Sequence, residues 1–132
     1  MLHERLQRLE RHVSLLEKFR AQHTPEEILQ NEFLEWALRY GLFEAIQMII
    51  NISCHLASER RLGHPTTYSE CVELLVKYGY LDESLGELVQ RMIGLRNILV
   101  HEYIRIDDRR LVEYLERLDD IRAFIEQLHE RM

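Results

Sequence analysis

The sequence predicts an all-α protein, an antiparallel bundle of about five helices. Three observations carry this reading. Apolar residues recur at spacings of three and four along most of the chain, and no segment sustains the apolar–polar alternation of a strand. Punctuation is sparse, with five Gly and two Pro in 132 residues, placed where helices would start, stop or touch. Hydrophobic residues make up 46% of the chain, which suits a single packed core, so residues 1–132 read as one ordered domain.

The first helix is expected over residues 2–22, where Leu2, Leu6, Leu9, Val13 and Leu16 form a heptad stripe. Thr24, Pro25 and Glu27 then combine an N-cap, a proline suited to the first helical position and a capping glutamate. They open a long second helix, about 25–62, whose apolar members include Leu29, Phe33, Trp36, Tyr40, Ile46, Ile49, Ile50 and Leu56. Gly41 is a place for it to bend, and Gly63 with Pro65 ends it. Thr67 and Glu70 form a second capping box for a short third helix that reaches Tyr78 and stops at Gly79. Asp82 is positioned to cap the fourth helix, whose stripe is Leu85, Leu88, Met92, Leu95 and Leu99. Gly86 and Gly94 lie inside it, where each costs helix stability and permits close approach by a neighbour. Asp107 or Asp108 caps the fifth helix, which buries Leu111, Leu115, Leu118, Ile121, Ile125 and Leu128 almost to the C-terminus. The first and fourth stripes are long and regular. One bundle core can absorb both, or one of them is a seam between two copies.

No apolar run approaches the roughly 18 residues of a membrane span. The N-terminal MLHERLQRLERH lacks the apolar stretch of a signal peptide. A soluble, cytoplasmic protein without membrane contact is the expectation. Cys54 and Cys71 fit no metal-ligand spacing, and each falls in an apolar helical pattern. Buried free thiols are therefore expected, because a reducing cytosol disfavours a disulfide. The net charge of −6 speaks against general affinity for nucleic acid. The charge is uneven, however: residues 91–110 carry five Arg against Glu102, Asp107 and Asp108, a local surplus of two positive charges. Lys18 and Lys77 are the only two Lys among 17 basic residues. Arginine suits bidentate phosphate contacts and helix-surface ion pairs alike.

That segment contains RNILVHEY, residues 96–103. Ile98, Leu99 and Val100 read as core, but Arg96, Asn97, His101 and Tyr103 do not. At about 100° per residue, Arg96 and Tyr103 nearly share a face, while His101 lies about 140° from Arg96. The two converge only if the helix ends or loosens near residue 101, or if a second copy of the segment faces the first. Glu102, Ile104 and Ile106 are the fraying signals there. The residue types suit RNA cleavage without a metal. Imidazole takes or gives a proton near neutrality. Guanidinium offers a fixed positive fork to a phosphate whose charge grows in the transition state. Asparagine donates to a phosphate oxygen or fixes a histidine tautomer, and RNA brings its own nucleophile, the 2′-OH. The reaction needs both a base and an acid, which two motifs meeting across a two-fold axis would supply. The plain alternative is a helix-end cap or a surface pair.

Arg96, Asn97 and His101 resemble the R-x4–6-H signature of the HEPN superfamily. The longer form R-x4-H-x-Y, here Arg96, His101 and Tyr103, is similar to that of the HepT toxin family. The stretches AIQMIINISCHLASE, PTTYSECVELLVKYGYLDESL and MIGLRNILVHEYIRID extend the resemblance, in order and spacing, over roughly residues 40–130. The resemblance implies an all-α homodimer with two motifs facing each other across an interfacial cleft. It implies a metal-independent ribonuclease with no cofactor, acting as the toxin of a toxin–antitoxin pair. The implied antitoxin is a minimal nucleotidyltransferase of the MntA type, which transfers AMP from ATP onto the motif tyrosine. Carried across residue by residue, Arg96 and His101 are catalytic, Asn97 supports them and Tyr103 is the modification target. Two readings stay open beside this one: Tyr103 as a packing aromatic, and the chain as a non-catalytic binding or scaffold subunit of a nucleotidyltransferase complex.

Asn51, His55 and Glu59 recur every four residues on the second helix. One histidine is too few for the His-pair metal motif, so no metal is expected there. The stripe is either a solvated or interface face, or Asn51 and His55 line an RNA cleft. Arg105, Arg109 and Arg110 flank the motif and either pair with Asp107 and Asp108 or steer RNA.

Overall fold

The computed structural model describes residues 2–101 and 107–132, and every element among them is helical. The helices are α1 (Leu2–Gln22), α2 (Pro25–Gln30), α3 (Glu32–Glu59), α4 (Tyr68–Lys77), α5 (Glu83–His101), α6 (Asp108–Leu115) and α7 (Leu118–Arg131). The all-α bundle of the sequence reading is thus present. Two of its five helices are each divided in two.

The first division falls at Asn31, not at Gly41. Asn31 is extended, with φ −127° and ψ 113°, and its Oδ1 accepts from the amides of Phe33 at 2.9 Å and Leu34 at 3.2 Å. An asparagine side chain that competes for backbone amides starts a new helix. Gly41 serves instead as a contact point. A Cβ there would lie 2.7 Å from Leu16 Cδ2, and its carbonyl accepts from His12 Nε2 at 2.8 Å. The second division falls at Glu116 and Arg117, where α7 begins without a side-chain cap.

The caps follow the sequence in part. Thr24 and Glu27 form the expected box, with Pro25 in the first turn. Thr67 Oγ1 accepts from Glu70 N at 3.1 Å, but the Glu70 carboxylate turns to the amide and hydroxyl of Thr66, one residue early. Asp82 does not cap α5 with its side chain. Its carboxylate accepts from Gln127 at 2.7 Å and Arg131 at 2.9 Å on α7. Asp107 caps α6 by accepting from Arg109 N at 3.0 Å. α3 ends at Glu59, four residues before Gly63, in a Schellman turn: Leu62 N donates to Ala57 O and Arg61 N to Ser58 O.

α3 is the centre of the bundle, with α1, α2, α4, α5 and α6 packed on it, while α7 covers α1 and α5. One core absorbs both regular stripes. Leu2, Leu6, Leu9, Val13 and Leu16 are buried, as are Leu85, Met92 and Leu95, with Leu88 and Leu99 packed against them. Gly86 allows this closeness, since a Cβ there would lie 2.5 Å from Val76 Cγ2 of α4. Gly94 meets nothing within 4 Å among the described residues, so nothing there requires a glycine. The apolar members of residues 25–62 divide. Ile46, Ile49, Ile50 and Leu56 are buried, whereas Leu29, Phe33, Trp36 and Tyr40 are exposed, Phe33 at 76%.

The thiols are not free. Cys54 of α3 and Cys71 of α4 form a disulfide with a Cα–Cα distance of 5.0 Å, within the range of roughly 4.4–6.8 Å that bridging needs. The two lie 17 residues apart on different helices, and helical period alone does not reveal that their faces meet. Among the described residues no helix is long and apolar enough to cross a membrane.

Candidate active site

Three helices converge on Arg96. Its Nε donates to Gln47 Oε1 of α3 at 3.0 Å, and its Nη1 to Asn97 Oδ1 at 3.1 Å. Gln47 Nε2 in turn donates to Asn51 Oδ1 at 2.9 Å. The guanidinium carbon lies 5.3 Å from the ring centroid of Tyr68, at the start of α4, and 6.0 Å from that of Phe43 on α3. Both distances permit cation–π attraction. Arg96 is half-buried, and its Nη2 makes no hydrogen bond among the described residues. Among the described residues the cation is held on one edge and open on another, the arrangement a phosphate clamp requires.

α5 stays helical through His101, which is exposed and makes no hydrogen bond or ion pair among the described residues. Arg96 and His101 therefore diverge by about 140° around one axis. Within the described helix the two side chains do not converge. Gly94, Asn97 and His101 form an exposed line along α5 at spacings of three and four. Val100, read as core, is 41% exposed beside that line, while Ile98 and Leu99 pack against the core.

The remaining candidates separate. Asn51 joins the motif through Gln47. His55 does not: its Nε2 sits 3.3 Å from the Glu59 carboxylate, one turn along α3. Tyr103 and Arg105, with Glu102, Ile104 and Ile106, lie outside the described residues. Arg109 and Arg110 are exposed and do not pair with Asp107 or Asp108. Asp107 is occupied as a cap, and Asp108 bonds Arg39 of α3 at 2.8 Å, which also bonds Glu35 at 3.2 Å. Burial, together with the Asp108 carboxylate beside it, holds the Glu35 pKa above the usual glutamate value, against the pull of Arg39. Among the described residues no cluster of three or more His, Cys, Asp or Glu forms a possible metal site.

Gln47, Phe43 and Tyr68 are the neighbours of Arg96 that sequence reasoning missed. Gln47 did leave a signal, since it stands four residues before Asn51 on the same stripe. Phe43 and Tyr68 left none, because their role depends on how α3 and α4 pack against α5. Beside Asn97 opens a cavity of about 550 Å³, lined by Tyr68, Ser69, Ile93, Asn97 and the Cys54–Cys71 pair, among others.

Residues 9–128 match the family described as ribonuclease HepT-like. A candidate RNase of Archaeoglobus fulgidus is 32% identical over 98 residues, covering 66% of this chain and 74% of that protein. An mRNA nuclease HepT of Shewanella oneidensis is 26% identical over 98 residues, 74% of each chain. Among solved structures, the tri-AMPylated Shewanella oneidensis HEPN toxin in complex with MNT antitoxin has a TM-score of 0.88 at 21% identity, over 98% of this chain and 96% of that one. YutE, a cytosolic protein of unknown function from Bacillus subtilis, has a TM-score of 0.84 at 20% identity, over 98% and 87%. These structures establish the fold, and the sequence match establishes descent: the chain belongs to the ribonuclease HepT-like family.

Proposed function

We propose that the protein is a metal-independent endoribonuclease toxin acting in the cytoplasm as a homodimer. Each protomer is one helical domain over residues 1–132, and Arg96 and His101 of both copies share one interfacial cleft. The observation that supports this most is the state of Arg96. A guanidinium fixed by Gln47, Asn97 and two rings, with Nη2 left over, lies on the same helix as an exposed histidine. Such a cation needs no reorganisation as charge builds on a phosphate. Gly94 supports the pairing. It sits on the exposed line with Asn97 and His101, has open space above it, and would let a second α5 come close.

The imidazole of one copy takes the 2′-OH proton, and the 2′-oxygen attacks phosphorus. The P–O5′ bond breaks, and the imidazolium of the other copy protonates the leaving oxygen. A 2′,3′-cyclic phosphate and a 5′-hydroxyl result. Arg96 of either copy stabilises the phosphorane, and Asn97 Oδ1 orients that guanidinium by accepting from its Nη1. No cofactor enters.

The Shewanella oneidensis toxin of similar fold is tri-AMPylated and bound to MNT antitoxin. By extension, an MntA-like nucleotidyltransferase is the antitoxin here and transfers AMP onto Tyr103. Two residues from His101, a bulky anionic nucleotide would fill the cleft and repel the RNA phosphate.

The test is cleavage of RNA in EDTA by purified protein, expressed without its antitoxin. Arg96→Ala and His101→Ala are each expected to slow cleavage by about 10²–10⁴-fold at unchanged melting temperature. Wild-type protein that cuts no RNA, or variants that cut as well as wild type, overturns the reading. Intact mass after incubation with partner and ATP should rise by AMP units in wild type and stay constant in Tyr103→Phe.

A further inference from the structure

We propose that the cavity beside Asn97 is a nucleobase subsite, which takes a base adjoining the scissile bond of the RNA and stacks it on Tyr68. This rests on the ribonuclease reading and adds to it a source of sequence preference.

The cavity measures about 550 Å³, inside the range of roughly 300–1,000 Å³ typical of small-ligand sites. Its position is the first argument. Asn97 belongs both to the cavity wall and to the shell of Arg96, so the cavity begins where the phosphate clamp ends. A nucleotide has the same layout, a charged phosphate joined through ribose to a flat base. Its surfaces are the second argument. Tyr68 is 40% exposed, lines the cavity and carries the Arg96 guanidinium over its ring. An aromatic ring beside a phosphate-binding cation is the combination with which proteins hold single-stranded nucleic acid. Ile93 of α5 and the Cys54–Cys71 pair supply further apolar wall. The cavity also offers a polar contact. Asn97 Oδ1 is taken by Arg96, whereas its Nδ2 makes no hydrogen bond among the described residues and is a donor for a base carbonyl or ring nitrogen. The disulfide joins α3 to α4 across this wall, so the space is shaped before a ligand arrives.

The experiment uses short RNAs that are 2′-O-methylated at every position but one, so that a single bond can be cut. The base on either side of that bond is varied or replaced by an abasic ribose. Wild-type protein is expected to favour a base over the abasic site, on one side of the bond, by tenfold or more in kcat/KM, the scale of one base–aromatic stack. Tyr68→Ala also loosens Arg96 and should slow every RNA, but base-bearing RNA more than abasic RNA, so that the preference is lost, and Tyr68→Phe should retain it. Thr66 lines the cavity and is not a partner of Arg96, so Thr66→Tyr, which fills part of the cavity with a ring, should also abolish the preference. The proposal fails if wild type cuts base-bearing and abasic RNAs equally, or if Tyr68→Ala slows both to the same degree, since Tyr68 would then serve Arg96 alone. Wild type that cuts none of these RNAs, nor any RNA left unmodified, sinks the ribonuclease reading itself and the subsite with it.

Discussion

Arg61 and Gly79 occupy the same place in two Schellman turns. Arg61 closes α3 with φ 53° and Gly79 closes α4 with φ 82°. The left-handed region costs a residue with a Cβ about 1–2 kcal/mol and costs glycine nothing. Arg61→Gly is therefore expected to stabilise the protein by about 1 kcal/mol, less the entropy that glycine returns to the unfolded chain. Gly79→Ala should destabilise it by about 1 kcal/mol. A Cβ at Gly79 would meet nothing within 4 Å, so that loss is backbone strain alone. Urea titration of both variants checks the opposite signs. Gln47 supports a second residue-scale prediction. Gln47→Ala removes one hydrogen bond from Arg96 and leaves the rings in place, so cleavage should slow by about fivefold to tenfold with little change in stability.

At the scale of elements, the sequence disclosed faces better than ends. The buried stripes of α1, α5, α6 and α7 could be read by spacing because a helix that packs on one side must repeat its apolar residues at that period. The breaks at Asn31 and Arg117 were hidden because the period runs through them, and only the local hydrogen bonds of Asn31 and the turn at Glu116 interrupt the backbone. Asp82 shows the converse. It has the right residue type for a cap, but Gln127 and Arg131 of α7 claim it, and no local pattern reports on a helix 45 residues away. The motif was legible in the same way as the faces, since Arg96, Asn97 and His101 fall within six consecutive residues. The cysteines were not, because their meeting depends on the crossing of α3 and α4. Gly94 gives an element-scale prediction. Gly94→Ala should stabilise α5 by up to about 1 kcal/mol. Gly94→Phe should yield monomers in light scattering and abolish cleavage if a second α5 lies over this position. A dimeric, active Gly94→Phe would place the contact elsewhere.

For the whole molecule, an ion pair closes the bundle where its first and last helices meet. Arg122 of α7 grips Glu17 of α1 through two hydrogen bonds, at 2.6 and 2.8 Å. That hydrogen bond, followed by the charge of Arg122, holds the Glu17 pKa below the usual 4.5. A lowered folded value stabilises the protein in full above the unfolded value and is lost as pH falls through the folded one. The difference in melting temperature between wild type and Glu17→Gln should therefore be full above the usual 4.5 and shrink as pH falls below it. Partial exposure of the pair limits its contribution to about 0.5–1 kcal/mol.

The cross-link between α3 and α4 also bears on how the molecule opens. α4 has ten residues, fewer than the roughly 12–15 an isolated helix needs to persist in water. While the sulfurs are joined, α4 cannot peel from α3, and its inner amides, such as that of Leu75, exchange with deuterium only when the whole bundle unfolds. A reductant frees a segment 17 residues long, worth about 3 kcal/mol of chain restraint. Those amides should then exchange about a hundredfold faster, and Tyr68 would travel with a flap that swings on its own hinge.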